Sequence, residues 1–508
     1  MMRGRALRGG LLTLGALMAS IPAAAQRRDP SRPPGLARFR EGEIRRDLFA
    51  LAGDAMRGRE AGTLDELRAS MWVADRAREA GLLPAGDDGS YFQWWPMRRV
   101  RVGRASTVSI DGQPLALGRD VVVTAPVMAS IADAPLVYVG EGKAADLAGR
   151  DIRGRAVVAL LSAPSRLPAA NMSLRGFRAA FASVRERSQF LLKEGASAVV
   201  LVSDSAADAE FERSGTILAR GRYNVDTTGA DALPREAPVL WVRHAMLDRL
   251  RTGTPHLTAT LVAESFVYPS VNVVAMARGT DPRRRGEYVE FSGHQDHDGV
   301  RFPVAAPNGG APDSIWNGAD DNASVAVGML AIARAWTAHP GARSALFVWH
   351  GAEERGLLGS RWFVSHPTVP LDSIVAVLNA DMIGRNNPDS AALLGSQPPH
   401  RNSAALVNMA LAANASLTKF IVDSSWDRPS HPEGWYFRSD HLPYARAGVP
   451  SLMFTTLLHP DYHTPFDNPD RIDIHKLTRM AEWMYATGWR VSEAAARPAV
   501  DAGFKLER

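Results

Sequence analysis

Five short stretches of this 508-residue chain carry side chains able to bind a cation or move a proton. They are Gly293-His294-Gln295-Asp296-His297, Trp316-Asn317-Gly318-Ala319-Asp320-Asp321-Asn322-Ala323-Ser324, Gly351-Ala352-Glu353-Glu354-Arg355, Asn379-Ala380-Asp381-Met382 and Asp461-Tyr462-His463-Thr464-Pro465. Taken alone, an acidic pair ahead of a helical pattern is most simply a helix cap, because the helix dipole favours negative charge there. Imidazoles and carboxylates gathered from several stretches, in a chain with no Cys, instead suit a hard-to-borderline divalent ion, zinc first.

The spacing within each stretch divides the work. His294 and Asp296 stand two apart at a strand end and share a face, so Asp296 can accept a hydrogen bond from the imidazole and fix the nitrogen that faces a metal. His297 is expected to point the other way and to be structural. Asp321 is suited to bridging two cations, since a carboxylate has two oxygens and paired metals need a shared anion. Holding it beside Asn322 is expected to require an unusual backbone, such as a cis peptide between the two. Neighbouring Glu353 and Glu354 diverge, so one can bind metal while the other takes a proton from water and returns it to a leaving amine.

These residues need a frame. Tyr288–Ser292, Ala345–Trp349 and Ile374–Leu378 are short apolar runs of strand character, each ending just before one of the motifs. Val325, Val327, Met329, Leu330, Ile332 and Trp336 recur at helical spacing after the acidic pair. Strands alternating with helices predict a parallel sheet, whose ligands gather at the carboxyl ends of the strands. Ile44–Ala52 and about Leu67–Ala80 predict two earlier helices, with the glycine-containing loop Met56–Thr63 between them. Trp94 and Trp95 are expected in an edge-strand core. From about Leu115 to Ala263 the chain turns β-rich (Val121–Val127, Leu136–Val139, Ala156–Leu161, Ala198–Val202, Pro238–Val242) around one helix, about Phe177–Glu194, with no cluster of ligand-type residues. It reads as a small α/β module inserted into the larger unit, after which Val271–Met276 resumes the apolar strand pattern.

Composition limits the class. A hydrophobic content of 46% over this length supports two or more domains. Met1–Ala25 has the basic start, apolar middle and small-residue end of a secretory signal, and it is too short to span a bilayer as an anchor. Its removal takes three Arg and no acid, so the formal charge falls from +5 to +2. No basic run interleaved with aromatics suggests nucleic acid as a partner. The absence of Cys excludes disulfides and lipid attachment at a thiol. Residues 26–40, rich in Arg and Pro, are expected to be a flexible lead-in.

The order His-x-Asp, Gly-Ala-Asp-Asp-Asn-Ala-Ser, Glu-Glu, Asn-x-Asp-Met and Tyr-His-Thr-Pro resembles the zinc-dependent exopeptidases of the bacterial leucyl aminopeptidase and glutamate carboxypeptidase family. The likeness covers about Ile44–Leu115 and Val267–Glu493, and Met56–Thr63 and Gly81–Gln93 also resemble the amino-terminal segment of family members. It implies a three-layer α/β/α domain with a mixed, mainly parallel sheet, formed by 41–114 and 264–495. It also implies an inserted protease-associated domain at 115–263 and a tail at 496–508. Two zinc ions per chain are implied, with Asp321 bridging, His294 and Asp381 completing one site, and Glu354 and His463 the other. Glu353 matches the general base, Asp296 the partner of His294, and Tyr462 a phenol that helps hold a tetrahedral oxyanion. Val325 stands where the family often has Gly, a departure that bears on helix-to-sheet packing. Ser439-Asp440-His441 matches a family segment. Three consecutive residues cannot form a serine-protease relay, so Asp440 is expected to line or support the pocket. Ser424–Tyr436 is expected to be a loop over the site that sets specificity.

The function expected is an exported metallo-exopeptidase, an aminopeptidase acting on peptides in the periplasm or outside the cell, with no stable membrane anchor after signal cleavage. Two alternatives keep the fold: a one-zinc acyltransferase of the glutaminyl cyclase type, and a non-catalytic receptor-like binding protein. Retention of both His294 and Asp381 argues against the first, and the complete ligand set and base argue against the second.

Overall fold

The computed structural model of the chain describes Met1 and residues 33–162, 175–226, 236–306 and 309–507. The secretory signal expected at 1–25 lies outside the described residues apart from Met1. The lead-in is described from Pro33, and there it is not loose: Tyr485 Oη donates to Pro34 O at 2.6 Å, and Phe39 is buried in the main core. An aromatic anchor against a core helix overrides the Arg and Pro composition.

Two helices open the described chain, α1 (Glu41–Leu51) and α2 (Leu64–Glu79). Thr63 starts α2, its hydroxyl accepting the Asp65 and Glu66 N–H groups. The main sheet is built on β1 (Phe92–Val102), β2 (Ala263–Ala277), β3 (Tyr288–His294), β4 (Ser344–His350), β5 (Ile374–Ala380) and β6 (Ser451–Thr455). In space the order is β6-β5-β3-β4-β2-β1, parallel from β6 through β4, with β2 antiparallel to β4 and β1 antiparallel to β2. Helix α3 (Val325–Ala338) and the long helix α4 (Ile474–Glu493) cover one face with α1 and α2. Phe363 and Tyr444, from two short helices, help cover the other. Alternation along the strands feeds both layers: Phe347 and Trp349 enter the first core, Leu346 and Val348 the second. This is the three-layer α/β/α arrangement implied by the resemblance. No helix among the described residues is long and apolar enough to cross a membrane.

A second, eight-stranded sheet contains the β-rich stretch. Its boundaries differ from those read in the sequence. It already includes Thr107–Ile110 and Gln113–Leu115, because these pair with each other and the first of them pairs with His256–Leu261. In the other direction, Arg222–Val225 leaves this region and pairs with β1 as an edge of the main sheet. Trp95 is buried as expected, but Trp94, one residue earlier and so on the opposite face, is 43% exposed.

Strand β3 is where the parallel order switches. The chain leaves β3 for α3 and returns as β4 on one side, then places β5 on the other, so a crevice opens at their carboxyl ends. His294 pairs in register with His350, and Asp381, directly after β5, donates its N–H to Phe454 O. Three of the five motifs therefore leave the sheet side by side.

Candidate metal centre

The acidic pair is not a plain helix cap. Residues 319–324 form a widened turn in which Asp321 (φ −101°, ψ 87°) and Asn322 (φ −134°, ψ 29°) leave helical geometry, and the Asp321–Asn322 peptide is cis, as expected. The Asp467 carboxylate accepts the N–H groups of Asp320 and Asp321, each at 3.0 Å. Asn322 spans to the β5 motif, donating to Ala380 O and accepting from Met382 N–H. Asp320 accepts the Gly384 N–H at 2.7 Å. The two acids thus diverge. Asp320 is wired into the backbone behind the site, and burial with Asp467 nearby pushes it up to about 8. Val325 is fully buried against the strand, where a Cβ on Gly293 would meet its Cγ1 at 2.5 Å, so the larger helix residue is matched by the missing side chain opposite.

Asp321 faces two groups at once. Its Oδ1 lies 3.2 Å from His294 Nε2 and its Oδ2 lies 3.0 Å from His463 Nε2. His463 Nε2 is also 3.1 Å from Glu354 Oε1, while His294 Nε2 is 3.8 Å from both Asp381 Oδ2 and Glu353 Oε2. All six residues expected as metal ligands or base are thereby brought together and largely buried. Two sets of side chains each converge within 4.8 Å: His294, Glu353 and Asp381, and His297, Asp321, Glu354 and His463. These nitrogen and oxygen donors fit zinc, and the crowd of buried carboxylates fits a site that gains from divalent charge. Burial raises Glu353 well above the ordinary carboxylate range; Glu354, Asp381 and Asp440 add to this and His294 opposes it. Burial acts on Glu354 the same way, but His463 and His297 more than offset it and hold Glu354 well below that range.

Two expectations need correction. The hydrogen bond of His294 Nδ1 goes to the backbone carbonyl of Asp296 at 3.1 Å, not to its carboxylate, which is 3.8 Å away. The tautomer is fixed as expected, leaving Nε2 free for a cation, but Asp296 Oδ1 instead accepts the Glu353 N–H at 3.0 Å and holds the Glu-Glu turn. His297 does not point away: its Nδ1 is 2.8 Å from Glu354 Oε1. Alternation stops at His294, where β3 ends, and Gln295 N–H pairs with His350 O while His297 bridges to Glu60.

The surrounding elements contribute further residues, of which Arg59 and Asp467 were given no role in the sequence. Arg59 is fully buried in the Met56–Thr63 loop and donates to the carbonyls of Gln295, Asn317, Gly318 and Leu51, tying two metal-type motifs to α1. Ser439, in the Ser-Asp-His segment, accepts from Asn379 Nδ2 and bonds Asp381. Asp440 accepts from Ser360 Oγ at 2.5 Å, and burial pushes it up to about 7. Tyr462 Oη accepts from Arg438 at 2.9 Å, and its ring lies 5.9 Å from that of Trp435 in the expected loop. Asp467 lies two residues beyond the Tyr-His-Thr-Pro motif; its only signal was that proximity. Arg59 had none beyond the glycine-rich loop.

Residues 272–488 match Peptidase family M28. The resemblance to zinc-dependent exopeptidases therefore stands for the segment that carries all five motifs. Among curated relatives, a probable leucine aminopeptidase of Arthroderma benhamiae is 26% identical over 248 residues, covering 46% of this chain and 60% of the relative. Aminopeptidase YwaD of Bacillus subtilis is 28% identical over 188 residues, covering 36% of this chain and 39% of that one. The chain thus spans less than two thirds of the length of these relatives. The fold as a whole is shared with solved structures. An aminopeptidase from Aneurinibacillus sp. strain AM-1 superposes with a TM-score of 0.57 at 19% identity, over 93% of this chain and 97% of that one. BSAP, a zinc aminopeptidase from Bacillus subtilis, gives 0.56 at 19% identity, over 92% and 99%.

Proposed function

We propose that this chain is an exported aminopeptidase that hydrolyses peptide bonds with two zinc ions, and that the second sheet, with strands from Thr107–Ile110 to His256–Leu261, belongs to a protease-associated domain beside its catalytic unit. One observation carries the reading: Asp321 presents one oxygen to His294 and the other to His463. On this reading Asp321 is the shared ligand, His294 and Asp381 serve one ion, and Glu354 and His463 the other. Zinc held there supplies Lewis acidity toward water and toward a substrate carbonyl. Glu353 is the proton acceptor: its Oε2 takes the proton of the attacking water and delivers it to the departing amine. Asp296 keeps that carboxylate in place through the Glu353 N–H, and Tyr462, a neutral phenol whose oxygen accepts from Arg438, is the donor we assign to the oxyanion. The printed names of the relatives support peptide substrates with a free amino end.

The test is metal analysis of the purified protein beside a panel of amino-acid amides, N-acetylated peptides and peptides with free carboxyl ends. About two zinc per chain and cleavage confined to substrates with a free amine are expected. Cleavage of the N-acetylated peptides at equal rates, or transfer chemistry with about one zinc, would refute the assignment.

A further inference from the structure

His297 has no role in the reading above. Its ring is fully buried, so an imidazole there must satisfy at least one nitrogen or bear the desolvation cost. Nδ1 comes within 2.8 Å of Glu354 Oε1, yet neither His297 nitrogen nor Glu354 Oε1 has a hydrogen-bond partner of acceptable angle among the described residues. The same signature marks His294 Nε2: it is buried, 3.2 Å from Asp321 Oδ1, and without a hydrogen bond. A short donor-to-acceptor separation with lone pairs turned toward a common point is what side chains sharing a cation show. The local backbone makes room for the ring. At Gly318 (φ +54°) a Cβ would lie 2.4 Å from His297 Cγ, so the turn that precedes Asp321 can hold only glycine if His297 is to stand where it does. The His463 ring meets it edge-on at 5.5 Å.

Resting on the two-zinc reading, we propose that His297 Nδ1 is a fourth protein ligand of the ion held by Asp321, Glu354 and His463. The two positions are then unequal. One is filled by two imidazoles and two carboxylates, a complete tetrahedral set of the kind that retains zinc. The other, with His294, Asp381 and the shared Asp321, keeps a coordination place open for chemistry. The consequence is ordered loading: a tightly held ion at the His297 position and a more exchangeable one beside Glu353.

Zinc K-edge absorption on protein loaded with two zinc counts the imidazoles directly, and three shared by the pair are expected. Competition with a chelator then follows release of each ion from the wild type and His297→Asn, with circular dichroism of the metal-free variant as a check on folding. The tighter step should weaken by more than about 100-fold, beyond the 10–100-fold that loss of a hydrogen-bonding neighbour of a ligand costs. Two imidazoles per zinc pair, or an unchanged tighter step in His297→Asn, overturns the proposal while leaving the two-zinc reading intact. A protein that binds no zinc pair overturns both. If His297→Asn does not fold, the imidazole count in the wild type still decides.

Discussion

Replacement of Glu353 by Gln separates base from ligand where the geometry alone leaves the two close. Glu353 Oε2 stands as near to His294 Nε2 as Asp381 Oδ2 does, 3.8 Å in each case, so either carboxylate could share an ion with His294. Two features favour the base. Burial, with Glu354, Asp381 and Asp440 nearby, favours the proton on Glu353, and its turn is held by the backbone N–H rather than by its own carboxylate. Gln keeps the size and the N–H bond to Asp296 but cannot take the proton. General-base catalysis is worth about 10²–10⁴-fold, so kcat should fall by that range, roughly 2.7–5.5 kcal/mol of barrier, with KM little changed. Zinc content and the thermal transition should match the wild type. Glu354→Gln should instead shed zinc, because Glu354 Oε1 faces His463, and excess zinc should restore part of the activity. Steady-state kinetics with metal analysis on both variants is the assay. If Glu353→Gln loses zinc while Glu354→Gln keeps it, the roles are reversed and the reasoning fails.

Two further outcomes follow from packing and charge. Gly293→Ala would drive a Cβ to 2.5 Å from Val325 Cγ1; overpacking of this kind costs about 1–3 kcal/mol in urea unfolding. Adding Val325→Ala should recover much of that loss, and strict additivity of the two changes would refute the contact. Away from the metal centre, burial tends to lower His400, but its hydrogen bonds to Asp427 at 2.9 Å and Glu507 at 2.8 Å win and raise it. A histidine raised on folding stabilises fully below its unfolded value of about 6.5, and that contribution is lost as pH rises through the folded value. His400→Gln should therefore destabilise more at about pH 6 than at about pH 9 in denaturant titrations; an equal loss at both would show that the ion pairs contribute nothing.

The local sequence determined the central strands and the ligand-type residues at their ends. Tyr288–Ser292, Ala345–Trp349 and Ile374–Leu378 all lie within observed strands, each extended by only one or two residues: into the motif for the first and third, and by one residue at each end for the second. Those runs are buried on both faces apart from half-buried Tyr288, so apolar residues dominate them, with Glu290 and Ser292 the polar interruptions in the first. That Asp321 is suited to bridging two cations was anticipated from chemistry, since paired metals need a shared anion; its partners His294 and His463 were implied by the family resemblance. Tertiary structure decided what lay outside regular elements. His297 and the Asp296 carboxylate sit beyond the end of β3, where period-two alternation no longer says which way a side chain points. Arg59, Asp467 and Ser439 act by hydrogen bonds to groups distant in sequence, such as Arg59 to Gly318, 259 positions away, and no local pattern encodes a partner so far off. The edge strand Arg222–Val225 belongs to the main sheet for the same reason: pairing with β1 is a contact between segments more than 100 residues apart, settled only when the two sheets come together.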